Sequence, residues 1–370
     1  MIRIGLVGKR TLGHVAGLTV PGVSQVTAFA ERSPDARAQM AAALPEARAY
    51  SDFEEILAEV DAVMLGTPMH LHAPQAIAAL RAGRHVLSEV TACTTLAQAE
   101  ALRAAAAESR ATYMLAENYC YIEPLVIVRE LVRRGAFGNP YYAEGAYIHD
   151  VKWLHHTPEG GLTWRAADQV GVRGNTYITH SLGPVMDWFQ AADPADRIDA
   201  VLCVGSGIHT DPEHPHDDTT ESLIRTRHGR LARIRLDLVS NRPHDGTRYG
   251  LQGTTGCYES FGGGRIWLGT NPDPGYHAEV HREWQPIADY RDVLPADYMR
   301  LREEAAASGH GGGDFFVARD FVRTLIGEVE NPLGLSRTLP WTITGLHTTT
   351  SIHSDNRWVA IPNDEDSERI

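Results

Sequence analysis

The sequence predicts an α/β protein with two different sheets: an N-terminal doubly wound parallel sheet, and a C-terminal α+β domain with an open, largely antiparallel sheet. Short apolar runs alternate with helix-like segments through the first third of the chain, as in parallel strands joined by helices. The first apolar run leads directly into a glycine turn. Longer β-like runs then follow one another, which is typical of antiparallel sheets.

The N-terminal elements follow from the spacing of apolar residues and from helix-stop signals. We predict strands over residues 2–7, 26–30, 62–66, 85–88 and 113–116, with helices from residue 12 and over 34–44, 74–82 and 96–108. This succession predicts a Rossmann domain over residues 1–120. Residues 121–370 are then expected to form an α+β domain for substrate binding and oligomerisation, whose C-terminal helices pack back on the Rossmann domain.

The second domain is predicted from its longer alternating runs. Strands are expected over residues 141–147, 200–204, 221–227, 231–239 and 249–253, and helices over 123–134, 181–189 and 315–326. Three consecutive glycines, Gly262 to Gly264, indicate a hairpin turn. The acidic tail over residues 364–370 is expected to be solvated.

The composition and charge of the chain disfavour two classes of binding partner. The chain has 370 residues, 43% hydrophobic, and a net charge of −13, which disfavours nucleic acid and anionic membranes as partners. A small-molecule partner is therefore expected. The chain begins with a strand pattern rather than a signal peptide, so we expect a cytoplasmic location. The four cysteines are widely spaced and are predicted to be free thiols.

A phosphate-binding turn follows the first strand. Gly8-Lys-Arg-Thr-Leu-Gly13 keeps the first and third glycines of a G-x-G-x-x-G turn, with Arg10 at the second. Glu31 follows Gly13 by 18 residues, where an acid binds the ribose hydroxyls of NAD. NAD is therefore favoured over NADP, and a glycine turn that binds nothing is the alternative. The predicted cofactor contacts are Gly8, Arg10, Thr11, Leu12, Gly13, Glu31 and Arg32.

Three further segments resemble the Gfo/Idh/MocA family of sugar oxidoreductases. They are Thr67-Pro-Met-His-Leu-His-Ala73, the run Ala82-Gly-Arg-His-Val-Leu-Ser-Glu89, and Ala116-Glu-Asn-Tyr119. The resemblance implies a nicotinamide cofactor and contacts to it from Thr67, Pro68, His70, His72, Glu89, Val90 and Asn118. Two family positions differ, because Val90 stands where the dehydrogenases have a catalytic lysine and Thr176 where they have an aspartate.

Other segments resemble the NAD-dependent α-N-acetylgalactosaminidases, a glycosidase branch of the same superfamily. They are Asn175-Thr-Tyr-Ile-Thr-His-Ser-Leu-Gly-Pro184, Ala143-Glu-Gly-Ala-Tyr-Ile-His-Asp150, Glu89-Val-Thr91 and Gly309-His-Gly-Gly-Gly-Asp-Phe315. Ile178 replaces that branch's proline and Ser181 its glycine. The resemblance implies a cycle in which NAD oxidises carbon 3 of a sugar, the carbon 1 group is eliminated, water adds and the hydride returns.

This chemistry needs acid and base groups, which we assign to His180, Tyr147, His149 and Tyr177. Tyr147 and His149 lie two apart on a predicted strand, so their side chains share one face. Structural packing is the alternative for these residues. Substrate contacts are expected from Lys152, Trp164, Arg165, Asn175, His310 and Asp314, and Lys152 is also a candidate for the missing ammonium group.

Three functions remain open at this point. The leading prediction is a nicotinamide-dependent oxidoreductase that acts on a sugar or glycoside. The alternative is redox-neutral glycoside cleavage or lyase chemistry, and a non-catalytic dinucleotide sensor is the third. A homodimer or homotetramer is expected. No metal is predicted, because His155, His156, His209, His214 and His216 lie in polar segments that indicate solvated loops.

Overall fold

The computed structural model describes residues 1–243, 245–269 and 283–362, and the chain divides into two compact units. Unit 1 consists of Met1–Tyr121 with Arg300–Thr342, and unit 2 of Ile122–Met299 with Ile343–Ile370. The predicted solvation of residues 364–370 concerns a segment outside the described residues. Within those ranges, none of the helices combines the length and apolar character needed to cross a bilayer.

Unit 1 is built on a six-stranded parallel sheet. Its strands are β1 (Ile2–Val7), β2 (Ser24–Ala30), β3 (Arg48–Tyr50), β4 (Ala62–Leu65), β5 (His85–Ser88) and β6 (Tyr113–Leu115). They lie in the order β3-β2-β1-β4-β5-β6, with every neighbouring pair parallel. The predicted doubly wound sheet is thus confirmed, and its strand order reverses next to β1, where such sheets bind nucleotides.

The helices of the N-terminal part differ from prediction in two places. They are α1 (Val15–Leu18), α2 (Pro34–Ala43), α3 (Phe53–Ile56), α4 (Met69–Arg81) and α5 (Leu96–Glu108). The helix predicted from residue 12 is wrong in form: a 3-10 turn over Lys9–His14 precedes a single α-helical turn. The helix predicted from residue 74 begins earlier, so Pro74 lies inside α4. The short elements β3 and α3 were not predicted.

Unit 2 contains a nine-stranded sheet. Its strands are β7 (Pro140–Ile148), β8 (Ile198–Gly205), β9 (Thr220–Thr226), β10 (Leu231–Asp237), β11 (Asp245–Gly253), β12 (Gly256–Glu259), β13 (Arg265–Leu268), β14 (Gln285–Pro286) and β15 (Val359–Ala360). Within the described part of this sheet, β7 and β10 are the only strands that pair in parallel. The largely antiparallel sheet is confirmed, and Gly262 to Gly264 connect β12 to β13 as a hairpin.

The remaining helices follow in chain order. They are α6 (Glu123–Arg133), α7 (Trp164–Asp168), α8 (Thr179–Ala192), α9 (Ala296–Ala305), α10 (Gly313–Leu325) and α11 (Leu335–His353). The sequence predicts α6, α8 and α10 to within a few residues, but it does not predict α9 or the 19-residue α11. The C-terminal segment Arg300–Thr342 belongs to unit 1, where α10 packs on α1.

A close contact between a helix and a strand positions the candidate site in unit 2. A Cβ atom on Gly145 of β7 would lie 2.6 Å from the backbone oxygen of Ser181 in α8, so only glycine permits this approach. The core side chains of α8 include Trp188 and Phe189, both fully buried. Burial of such aromatic residues supplies much of the stabilisation, while Gly145 sets the spacing.

Gly145→Ala should therefore destabilise the protein by about 1–3 kcal/mol, because the new methyl group must displace backbone atoms. Gly250→Ala is the matched control on β11, since its Cβ would meet only the flexible Glu144 side chain, at 3.1 Å. Denaturant unfolding measures both variants. Equal free energies of unfolding for the two would show that the approach of α8 to β7 is not constrained by Gly145.

Candidate active site

The glycine turn after β1 has the backbone geometry expected of a phosphate loop. Gly8 has a φ of 88°, which favours glycine, and a Cβ there would lie 2.6 Å from the Gly66 oxygen. The Thr11 amide and hydroxyl both donate to the Gly8 oxygen, at 3.1 and 2.6 Å. The turn is thereby held tightly at the carboxyl end of β1.

The acid predicted to bind ribose lies against this turn. Glu31 accepts hydrogen bonds from the backbone amides of Lys9, at 3.0 Å, and Ser33, at 2.9 Å. Its carboxylate is therefore fixed where β2 ends, beside the phosphate loop. The side chain of Arg32 is 77% exposed and lies 3.4 Å from Asp52.

The segment after β4 holds the next group of predicted cofactor residues. His72 is buried, and its Nε2 and Nδ1 atoms lie 2.8 and 2.9 Å from the backbone oxygens of Thr67 and Thr91. His72 therefore connects the segments that follow β4 and β5. Pro68 is the N-cap residue of α4. His70 is exposed on that helix.

A group of polar side chains surrounds Asp314 in unit 1, and we call it the polar cluster. Its members are Arg10, His14, Glu89, Asn118, His310 and Asp314. Asn118 donates to Asp314 at 2.6 Å, and Nδ1 of His310 lies 2.9 Å from the same carboxylate oxygen. The ring Nε2 of His14 lies 3.7 Å from Glu89 and 3.8 Å from Asp314.

Arg10 joins both carboxylates of the polar cluster. Its guanidinium lies 3.7 Å from Glu89 and 3.5 Å from Asp314. The residue that occupies the position of the motif's second glycine thus neutralises buried negative charge. Gly13 leaves room for this arrangement, because its Cβ would lie 3.2 Å from both Arg10 and Asp314.

Burial shifts the pKa values of this cluster in different ways. Burial raises the pKa of Asp314, but the hydrogen bond from His310 and the charge of Arg10 outweigh that effect and hold the pKa below its usual range. Burial lowers the pKa of His14, against the opposite effect of Glu89 and Asp314. At neutral pH the cluster therefore holds an ionised Asp314 and a neutral imidazole at His14.

The polar cluster also fits a polar ligand. Both ring nitrogens of His14, Oε1 of Glu89 and Oδ1 of Asn118 are buried and have no hydrogen-bond partner. Buried polar atoms are normally paired, so these atoms are suited to the hydroxyl and carboxamide groups of a nicotinamide nucleotide. Together with the Gly8 turn and Glu31, they form a set of groups in unit 1 that fits this cofactor.

The position of the missing lysine is apolar and enclosed. The Val90 side chain is buried and cannot exchange protons. His14, which sequence reasoning missed, instead lies close to the adjacent Glu89. Its location directly after Gly13 at a predicted nucleotide loop was the available signal.

In unit 2, the four predicted catalytic residues lie together, and we call them the aromatic quartet: Tyr147, His149, Tyr177 and His180. The His180 ring stacks on Tyr147 with 5.3 Å between centroids, and Tyr177 lies edge-on to both rings. His149 follows Tyr147 on the same face, at 5.6 Å. The Tyr177 hydroxyl lies 3.3 Å from Nε2 of His180, so a proton can pass between them.

The backbone around His180 is fixed by its neighbours. The Tyr249 hydroxyl donates to the His180 backbone oxygen at 2.5 Å, a contact that the sequence did not reveal. His180 lies in the first turn of α8, and the approach that Gly145 permits brings this turn to β7. The quartet is mostly buried but not enclosed, because Tyr177 and His149 are partly exposed.

The predicted substrate residues of unit 2 occupy different settings. Nζ of Lys152 donates to the Val239 oxygen and contacts Asp150, both at 2.8 Å. Trp164 and Arg165 form a cation–π pair with 4.5 Å from the guanidinium carbon to the ring centroid. Asn175 is fully buried and donates to Ser222 and Ile234, so its amide ties its segment to the sheet.

The expectation that the clustered histidines lie in solvated loops is wrong for three of them. His155, His214 and His216 are buried, at 0%, 6% and 2% exposure, whereas His156 and His209 are exposed. Burial, together with the neighbouring His214, lowers the pKa of His155 to about 4. The polar residues next to these histidines in the sequence suggested solvent exposure, whereas the connections that carry the histidines pack against one another.

The predicted free thiols are confirmed for all four cysteines. Cys93, Cys120 and Cys203 are buried, and Cys257 is partly exposed. Burial raises the pKa of Cys93 to about 12 and of Cys203 to about 11. These thiols are therefore unreactive at neutral pH.

The fold and the two sites define a nicotinamide-dependent enzyme. Residues 2–117 match the family model described as "Oxidoreductase family, NAD-binding Rossmann fold", and NAD is the cofactor. Residues 121–367 match "Glycosyl hydrolase 109, C-terminal domain". The chain belongs to glycosyl hydrolase family 109.

Individual relatives agree with this assignment. A glycosyl hydrolase family 109 protein of Saccharopolyspora erythraea is 31% identical over 356 residues, which cover 88% of this chain and 74% of the relative. Glycosyl hydrolase family 109 protein 2 of Shewanella sp. strain ANA-3 is 29% identical, with 85% and 75% covered.

Solved structures share the fold at low sequence identity. Levoglucosan dehydrogenase in complex with NADH and L-sorbose is 20% identical, with a TM-score of 0.76 and coverage of 98% of this chain and 99% of that one. The WlbA dehydrogenase from Bordetella pertussis, in complex with NADH and UDP-GlcNAcA, is 19% identical with a TM-score of 0.72 and 98% of each chain covered. These likenesses show the fold alone.

The Gly8 turn offers a test of cofactor binding. Gly8→Ala should weaken NADH binding at least about tenfold, or ~1.4 kcal/mol, because the methyl group meets the Gly66 backbone and opens the turn. Gly22→Ala is the matched control, since Gly22 also has a positive φ but a Cβ there meets nothing within 4 Å. Fluorescence titration with NADH measures both, and equal affinities would contradict the assigned loop.

Proposed function

We propose that this protein is an NAD-dependent glycosidase that cleaves its substrate without net oxidation. In this cycle, carbon 3 of the sugar is oxidised, the proton on carbon 2 is removed, the carbon 1 group leaves, water adds and carbon 3 is reduced again. Membership in glycosyl hydrolase family 109 supports this choice. The observation that carries it is the aromatic quartet, which offers several acid and base groups while the lysine position holds buried Val90.

Bound NAD would supply the hydride acceptor and later the donor. His180 takes the proton of the carbon 3 hydroxyl as the hydride leaves and gives it back to the carbon 3 oxygen when the hydride returns, and the Tyr177 hydroxyl, 3.3 Å from Nε2, orients the imidazole ring. Tyr147, on β7, and His149, directly after it with its ring beside that of Tyr147, serve the carbon 2 proton and the leaving group. The groups in unit 1 that would hold the cofactor are the Gly8 turn, Glu31 and the polar cluster.

Net oxidation of a sugar is the second candidate. It uses the same hydride transfer from carbon 3 and the same base at His180, but the ketone and the reduced cofactor leave before the hydride returns. The NAD-binding Rossmann domain supports this reaction equally, so the fate of the hydride is the measurement that separates the two functions.

Turnover in deuterated water tests the proposal. A panel of aryl glycosides should yield a product that carries deuterium at carbon 2, because the proton removed there returns from solvent, and NADH should not accumulate. Mass spectrometry and NADH absorbance give the two readings. Stoichiometric NADH with a keto product would show net oxidation, and cleavage without exchange at carbon 2 would contradict the eliminative route.

Substitutions in the aromatic quartet test its role. His180→Asn should lower kcat by about 10²–10⁴-fold, the range for loss of a general acid or base, and Tyr147→Phe should also lower it. Tyr142→Phe is the matched control, because Tyr142 lies on the opposite face of β7 and bonds to Glu144. Unchanged exchange at carbon 2 in His180→Asn, with NADH binding intact, would remove His180 from the mechanism.

We also propose that the protein forms a homodimer or homotetramer through the face of the nine-stranded sheet opposite α8. This face carries Arg233, which pairs with Glu221 at 2.9 Å and lies 3.9 Å from Glu144, and Phe261 is 69% exposed beside it. Mixed charges suit a two-fold contact between identical surfaces. Light scattering should give a mass of two or four chains that falls in Arg233→Glu, whereas a single-chain mass rejects the assembly.

A further inference from the structure

Three side chains outside the aromatic quartet form a compact set of potential metal ligands in unit 2. One ligand atom from each of His155, Asp211 and His214 lies within 4.8 Å of the other two. Nε2 of His214 is 3.7 Å from Oδ2 of Asp211, and the two imidazole rings are perpendicular with 5.1 Å between centroids. We call this set the histidine–aspartate cluster.

The cluster joins two separate connections of the chain. His155 follows the short 3-10 helix Lys152–Leu154 that comes after β7, and Asp211 and His214 lie in the connection between β8 and β9. These connections touch elsewhere too, since Arg173 bonds to Asp217 at 2.8 Å and the His216 ring lies 3.1 Å from the Val172 oxygen. The cluster is therefore part of a defined tertiary contact.

Three of the four ring nitrogens in the two histidines of the cluster are buried and have no hydrogen-bond partner. His155 is 0% exposed, and neither of its ring nitrogens has a hydrogen-bond partner. Nε2 of His214 is likewise buried and unpaired. Buried polar side chains are normally satisfied by hydrogen bonds or coordinate metals, so a ligand that accepts lone pairs explains an arrangement that packing alone does not.

We propose that His155, Asp211 and His214 bind a divalent transition-metal ion such as Zn²⁺. Two imidazole nitrogens and one carboxylate oxygen suit Zn²⁺ and its first-row neighbours, whereas Ca²⁺ and Mg²⁺ prefer sites made of oxygen ligands. A tetrahedral ion with ligands at about 2.0–2.1 Å needs ligand atoms about 3.3 Å apart. Small side-chain rotations would close the observed spacing to that value, with water as the fourth ligand.

The metal would fasten the connection after β7 to the connection between β8 and β9. His149 of the aromatic quartet lies at the start of the first connection, directly after β7. Metal binding is therefore expected to slow amide hydrogen exchange in residues 150–163 and 206–219, and this readout does not depend on the proposed glycosidase activity.

The test uses the untagged full chain, stripped with a chelator and then titrated with Zn²⁺ and with Co²⁺. We expect one ion per chain by elemental analysis, the visible absorption of tetrahedral Co²⁺, and a thermal midpoint that rises with Zn²⁺. His155→Ala and His214→Ala should weaken binding at least about 100-fold, because even partners outside the ligand shell cost about 10–100-fold. His156→Ala, an exposed neighbour, should leave the affinity unchanged.

Asp211→Asn is a second variant in case the histidine substitutions prevent folding. It keeps the size of the half-buried side chain and removes only the charged ligand. It should bind Zn²⁺ more weakly while its thermal midpoint in chelator equals that of the parent. Failure of Zn²⁺ and Co²⁺ to bind at one ion per chain would overturn the proposal. Equal affinity of the parent, Asp211→Asn and His214→Ala would do so as well.

Discussion

The candidate chemistry of unit 2 depends on the close approach of α8 to β7. Because Gly145 has no Cβ, the first turn of α8 comes into contact with the strand backbone. That contact brings His180, from the helix, over Tyr147, from the strand. The Tyr249 hydroxyl then fixes the His180 backbone. The candidate acid/base group His180 thus gains its position from two elements whose spacing depends on the absence of a Cβ atom at Gly145.

In unit 1 the corresponding constraint is electrostatic. Two carboxylates, Glu89 and Asp314, are buried near each other and are stabilised by Arg10 and by hydrogen bonds from the His310 and Asn118 side chains. Arg10 stands at the position of a motif glycine, and its positive charge stabilises these two carboxylates. The absence of a lysine at Val90 is therefore one part of a different charge arrangement, in which His14 is a buried, neutral imidazole.

Helix prediction shows where local patterns are insufficient. The alanine-rich helix α5 has the predicted bounds, and α6 ends one residue before its predicted end. By contrast, α11 contains Pro340 and many threonines, residues with low helix propensity. Its threonines at positions 338, 342, 344 and 348 are nonetheless buried. Thr338 donates to the Gly334 carbonyl just before the helix, and Thr348 donates to the Gly345 carbonyl within it. Tertiary burial outweighs propensity there, which is why the sequence gives no clear signal for this helix.

By itself, the sequence determined the parallel and antiparallel sheets, the glycine turn, the absence of the lysine and the shared strand face of Tyr147 and His149. These features depend on residues close together in the chain. Only the tertiary structure decided that α8 meets β7, that His14 joins Glu89 and Asp314, and that His155 is buried beside His214. Burial and proximity between distant segments depend on how the whole chain packs, and the same packing determines which polar groups lose water and must find another partner.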